Sequence, residues 1–487
     1  MTIATKARPV DEETPLLTNG PVFQRTPLPW FQFSILLFLH MAEPLTSHVI
    51  YPFAPELIRN IGITNGNEKK TGYYVGLMQS MFYLAEAVTI FQWSRLSDHI
   101  GRKPVILIGL TGLSVSMYTF GLSTTFLGLV LSRCFNGALN GNIGVIKCMI
   151  AELADPTNIA EAFAYAPIAF STGATLGPLI GGSLSRPADQ FPWLFGSNPF
   201  LKKYPYFLPC AISATFTVLS LILALAYLKE TVKNPIPLSH LIAKKKPTLH
   251  TDDSPKAALE TNEAPLPIRA VMTPKVLVAA GNYAMLSLID IAYRAIQPVF
   301  FSTSIADGGL SLSPPAIGVI LCMYGLLNGL LQVFCFARIH NRWGSRNTFC
   351  LGILAAIPVF TLFPVMNWLA KKEGACGILV WFAVGAQLGF SVSMNIAYGA
   401  IFIIIADASP NRASLGATNG LSQTTVSVMC AIGPATANSL YSLSIEKGYL
   451  GGNLVYLVLI GVVGMTYWIA LLLLPRDGNS RRSWHKG

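Results

Sequence analysis

Two stretches decide the fold: Trp93-Ser-Arg95-Leu-Ser-Asp98-His-Ile-Gly101-Arg102-Lys103-Pro104 and Phe336-Ala-Arg338-Ile-His-Asn341-Arg-Trp-Gly344-Ser-Arg346-Asn347. They lie 243 residues apart, half of a 487-residue chain. Arg95 matches Arg338, Gly101 matches Gly344 and Lys103 matches Arg346. Each stretch joins two apolar runs. Farther along, Gly177-Pro178 and Gly433-Pro434 repeat the correspondence. The chain therefore reads as a duplication, and two parallel repeats flanking a midplane site is a common plan for membrane transporters.

Working outward, apolar runs of the roughly 20 residues that a bilayer demands occur twelve times. They fall at about 30–55, 72–96, 104–122, 125–150, 161–184, 206–228, 275–302, 313–337, 347–370, 375–405, 413–440 and 450–474. The expectation is an all-α integral membrane protein, with twelve transmembrane helices in two pseudo-symmetric six-helix bundles around a central cavity. Its parts are a tail 1–29, a bundle 30–228, a linker 229–274, a bundle 275–474 and a tail 475–487. Composition agrees, with 52% hydrophobic and 12% charged residues against about 25% charged in a soluble domain.

Lys and Arg fix the expected orientation. With both termini in the cytosol, 22 lie on the cytosolic side and 9 on the other, with Arg133, Lys147 and Arg294 inside spans. That bias follows the positive-inside rule, so the net charge of +11 speaks of topology and not of nucleic acid. Seven of the eight cysteines fall in apolar runs without ligand spacing, and His40 and His48 have no companions for a metal. No metal or cofactor is expected. No nucleophile elbow, P-loop lysine motif or HExxH occurs, so the chain is not read as an enzyme. A cleaved signal peptide and glycosylation at an Asn-x-Ser/Thr sequon are not expected either.

Six ionisable residues sit inside spans: Glu43, Glu86, Arg133, Lys147, Asp290 and Arg294. Facing lipid they would cost roughly 2.5–3.5 kcal/mol each, so they must face a polar interior. Helical spacing supports this. Arg133, Gly137, Asn140, Gly144 and Lys147 form one stripe of the fourth span, and Tyr283, Ser287, Asp290, Arg294 and Gln297 form one of the seventh. His40, Glu43 and Ser47 line the first, with Pro44 expected to break it. Gln79 and Glu86 line the second, and Gln387, Ser391, Asn395 and Tyr398 the tenth. Asp290 and Arg294, four apart, can also close on each other as a structural pair. A cationic solute would compete naturally with a proton for such acids.

At this point the motifs resemble a family. Asp98-His-Ile-Gly101-Arg102-Lys103-Pro104 resembles the loop motif of the major facilitator superfamily. Arg133-Cys-Phe-Asn-Gly137 resembles the arginine motif of its proton-coupled members. Gly173-Ala-Thr-Leu-Gly177-Pro178-Leu-Ile-Gly181-Gly182 is similar to the motif of its exporting antiporters. Gly144-Val-Ile-Lys147-Cys-Met-Ile-Ala-Glu152 and Arg186-Pro-Ala-Asp189-Gln-Phe-Pro192 resemble the fungal and plant zinc-induced facilitator-like branch. The second loop departs from the pattern, with Asn341 where the first has Asp98.

The resemblance implies a secondary active transporter that exports a small organic solute (a drug, secondary metabolite or metal chelate) by proton antiport and alternating access. It implies a coupling role for Arg133. A facilitative or proton-symport importer, or a non-transporting sensor, would share the fold. In the loop, Gly101 permits a tight turn, and Asp98 with Arg102 and Lys103 can latch one access state. In the tail, Asp11-Glu-Glu-Thr-Pro-Leu16-Leu17 resembles an adaptor-read sorting signal, placing the protein in a vacuolar, endosomal or plasma membrane.

Overall fold

The computed structural model describes residues 26–155, 158–232, 268–410 and 414–474, without the side chains of a few further residues, Asp98 among them. Leu16, Leu17, most of the linker and the last residues lie outside the described part. Twelve helical rods follow in order: α1 (Trp30–His40 with Ala42–His48), α2 (Thr71–Ile100), α3 (Arg102–Leu122), α4 (Phe126–Leu139 with Asn142–Leu153), α5 (Ile159–Leu184), α6 (Phe207–Tyr227), α7 (Pro274–Ser302), α8 (Pro314–Phe334), α9 (Phe336–Glu373), α10 (Ile378–Ala408), α11 (Leu415–Lys447) and α12 (Leu454–Leu473). No strand occurs among the described residues. In lipid this is the economical solution, because a helix satisfies its own backbone donors and acceptors.

Seven rods (α3, α6, α7, α8, α9, α10 and α12) are long and apolar enough to cross a membrane by composition alone. The other five are broken or carry the polar and small residues of the cavity and seams. Local chemistry sets several ends. Thr273 caps α7, accepting from Val276 N at 3.3 Å ahead of Pro274 at the first turn. Gly374 and Gly448 close α9 and α11 in the left-handed conformation.

One break was expected from the sequence and one was not. The first rod breaks at Met41, three residues before Pro44, because the proline ring displaces the carbonyl four residues back. The fourth, expected to be continuous, breaks at Asn140-Gly141. Trp93 packs where a Gly141 side chain would sit, and its indole N–H satisfies the freed carbonyl of Ala138 at 2.7 Å.

The rods alternate in direction. Thr26, the α2–α3 turn, the end of α4 and the start of the linker meet on one face, here the linker face. The bundles, α1–α6 and α7–α12, join on the far face. There Arg59 donates to Ser302 O at 3.3 Å, Lys69 pairs with Asp307 at 3.5 Å, and Lys70 pairs with Glu446 at 3.9 Å. Two seams run inward from it. At α2–α11, a side chain on Gly76 would strike Pro434 O, and Ser80 Oγ accepts from Ala435 N at 2.9 Å. At α5–α8, Gly182 and Gly318 touch backbone to backbone.

The buried apolar residues follow the same division. One cluster fuses the far half of the first bundle with the second bundle, from Val49, Phe53 and Tyr206 to Ile289, Phe300 and Phe363. The linker half of the first bundle keeps its own core around Phe33, Val105, Ile146 and Ile150. The described contacts that join the bundles thus gather on the far face and along the two seams.

Candidate functional site: the central cavity

The first bundle supplies four charges. Glu43, in the second piece of α1, accepts from Ser47 Oγ at 2.9 Å. Glu86 on α2 accepts from Asn140 Nδ2 at 3.0 Å, so the break in α4 aims an amide at a carboxylate. Gly137 lies against the Phe82 carbonyl and the Glu86 amide, where no side chain would fit. Arg133 lies with its guanidinium carbon 4.4 Å above the Phe82 ring, a cation–π contact. It is 3% exposed, yet its Nε and Nη1 have no hydrogen-bond acceptor among the described residues. Lys147, in the second piece of α4, is exposed. His48 Nδ1 meets Pro44 O at 2.8 Å, and its ring stands edge-on to Tyr51.

The second bundle holds a closed pair. The Arg294 Nε–H is shared by both oxygens of Asp290 at 3.0 Å, Tyr398 donates to Asp290 Oδ2 at 3.0 Å, and the guanidinium stands over the Tyr324 ring. Asn395 donates in turn to the Tyr324 hydroxyl. Tyr398 then meets Tyr283, and Tyr283 meets Phe402, edge to face at 6.1 and 5.4 Å. Tyr324 and Phe402 escaped the sequence reading because a ring in an apolar run looks like core. Phe402, four residues beyond Tyr398 on the α10 stripe, was the available signal.

The loop motif sits at the linker face, away from the cavity charges. Gly101 turns at φ +104°, and a side chain there would strike Glu230. Arg102 holds Glu152 at 3.0 Å and also bonds Ser97. The backbone amides of Arg102 and Lys103 both donate to the Glu230 carboxylate, at 2.9 and 3.0 Å, which caps α3. Lys103 Nζ reaches Leu225 O. The Asp98 side chain lies outside the described residues. These described contacts stay within the first bundle. Glu230 had no sequence signal, because its partners are backbone amides of a distant turn.

The glycine motif of α5 has two faces. Gly173, Gly177 and Gly181 pack against α1 at Met41, Leu45 and Val49, and a side chain on Gly181 would come within 1.9 Å of the Val49 carbonyl. Gly182 and the Pro178 carbonyl instead face Pro314 and Gly318 of α8. Close approach of small residues is how helices associate without a hydrophobic driving force. Among the described residues no cluster of ligating side chains could hold a metal.

Comparison with known proteins agrees with this architecture. The Major Facilitator Superfamily profile matches residues 36–434. The efflux pump azaK of Aspergillus niger is 30% identical, with 89% of this chain and 86% of that one covered. Protein ZINC INDUCED FACILITATOR-LIKE 1 of Arabidopsis thaliana is 28% identical, with 89% of each covered. The crystal structure of the human organic anion transporter MFSD10 (TETRAN) superposes with a TM-score of 0.59 at 17% identity, covering 91% of this chain and all of that one. By fold and by sequence, the chain is a membrane transporter of the major facilitator superfamily.

Proposed function

We propose that the protein exports a small organic solute in exchange for protons, by alternating access. One observation carries the reading: two carboxylates, Glu43 and Glu86, lie in the first bundle with a buried arginine whose Nε and Nη1 lack acceptors among the described residues. Burial raises a carboxylate's affinity for a proton, whereas a neighbouring cation lowers it. A solute or a shift of Arg133 that alters this balance would release or bind a proton. In this reading the cavity opens on the linker face, which the positive charge bias assigns to the cytosol, and a solute enters from there. Rocking of the bundles about the α2–α11 and α5–α8 seams, with the far-face ion pairs breaking, would present it to the other side. The efflux pump among the relatives supports export.

Both termini are then cytosolic. The membrane is vacuolar, endosomal or plasma, with Leu16 and Leu17 proposed as the adaptor-read signal; relocation of a tagged Leu16→Ala, Leu17→Ala chain tests it. For the transport reading, reconstituted vesicles should take up solute in proportion to an imposed pH gradient. Uptake indifferent to the gradient would make the protein a facilitative carrier instead.

A further inference from the structure

The polar groups of the cavity wall divide by whether their bonding capacity is met. The acids are served: Glu43 by Ser47, Glu86 by Asn140, and Asp290 by Arg294 and Tyr398. Beside neutral groups such as Gln79, Asn140, Ser287 and Gln387, the charged groups that remain are cationic. Nε and Nη1 of Arg133 have no acceptor, and Lys147 has no ion-pair partner among the described residues. A buried charged donor left without an acceptor is costly and is rarely kept without a reason. Arg133 lies in the first piece of α4 and Lys147 in the second; Arg133 is buried and Lys147 exposed. On α7 and α10 the second bundle presents rings instead of free charge: Tyr283, Tyr398 and Phe402 in edge-to-face contact, with Phe402 50% exposed on the stripe that carries Asn395 and Tyr398.

We infer that the transported solute is a planar aromatic acid, whose ring lies against Tyr283, Tyr398 and Phe402 and whose carboxylate or phosphate is drawn to Lys147 and Arg133. This rests on the transport reading above, and it reverses the cationic solute that the acids alone suggested. An amine would meet carboxylates that each already accept a hydrogen bond, whereas an anion finds charged donors without acceptors among the described residues. Charge-assisted bonds to a guanidinium and an ammonium suit either anionic group, and offset or edge-on ring contacts select a flat body over an aliphatic one.

Calorimetric titration of the purified full-length chain with 1-naphthoate, 1-naphthylmethylammonium and cyclohexanecarboxylate tests it. Naphthoate should bind about tenfold more tightly than the other two, in line with one good ring or charge contact. Phe402→Ala should weaken naphthoate by about that factor while Phe402→Trp retains it. Lys147→Gln should weaken naphthoate and abolish the discrimination against the ammonium. A preference for the ammonium, equal binding of the cyclohexane acid, or no naphthoate binding up to millimolar concentration overturns the inference. The titration uses no gradient, so its failure leaves proton-driven export standing, and a gradient-blind carrier that still prefers naphthoate leaves this inference standing.

Discussion

The two bundles descend from one repeated pattern but treat buried charge in opposite ways. In the second, Asp290 and Arg294 neutralise each other one helical turn apart, and Tyr398 and Tyr324 complete the set. In the first, Glu43, Glu86, Arg133 and Lys147 sit on three different helices, and neither cation closes an ion pair among the described residues. A closed pair resists change, because separating it strands a buried ion. Charges spread over several helices can exchange partners when those helices move. On the proposed mechanism the first bundle responds and the second provides a fixed wall.

The contrast breaks most visibly at Asp290. Asp290→Asn leaves the partly buried Arg294 without its counter-ion and should cost up to about 3 kcal/mol, read as a large fall in thermal unfolding temperature. Asp290→Leu with Arg294→Met should recover most of that loss. If the double variant is as unstable as the single, the pair is not self-contained. Glu43→Gln, by comparison, should leave unfolding nearly unchanged.

The glycines of α5 sharpen the difference between contacts within a bundle and across the seam. Gly181→Ala forces a methyl into the Val49 carbonyl of the same bundle and should destabilise by about 1–3 kcal/mol. Gly318→Ala strikes only the opposite bundle, at the Pro178 carbonyl and Gly182. It should spare stability and open the far face, raising the labelling of a cysteine placed at Ser313. Equal loss of stability in both would erase the distinction.

The smallest effect is expected at the far-face ion pairs, which are partly exposed. Lys69→Gln with Lys70→Gln should shift the balance of access states by less than about 1 kcal/mol per pair. The shift should fade as salt rises, because ions screen exposed charges. A shift independent of salt would point to packing in place of charge.

Much of this was legible in the residues. The twelve apolar runs and the duplicated loop carry the fold, since the bilayer imposes length and composition on every span. The Asp290–Arg294 pair was readable because four residues make one helical turn. The break in α4 was not, because no proline marks it: Asn140-Gly141 yields only where Trp93 from another helix fills the gap and bonds the freed carbonyl. Glu230 was equally silent, since its four acceptor contacts go to backbone N–H groups that any sequence supplies. Contacts through backbone and through rings leave little trace in composition, whereas buried charge leaves a strong one.

The most direct measurement compares two transport modes in one preparation of reconstituted vesicles: solute exchange at equal pH on both sides, and uptake driven by a pH gradient. With the responsive charges in the first bundle, Glu43→Gln should keep exchange near the unmodified rate and lose gradient-driven uptake. Gradient-driven uptake that survives Glu43→Gln and Glu86→Gln together would contradict the account.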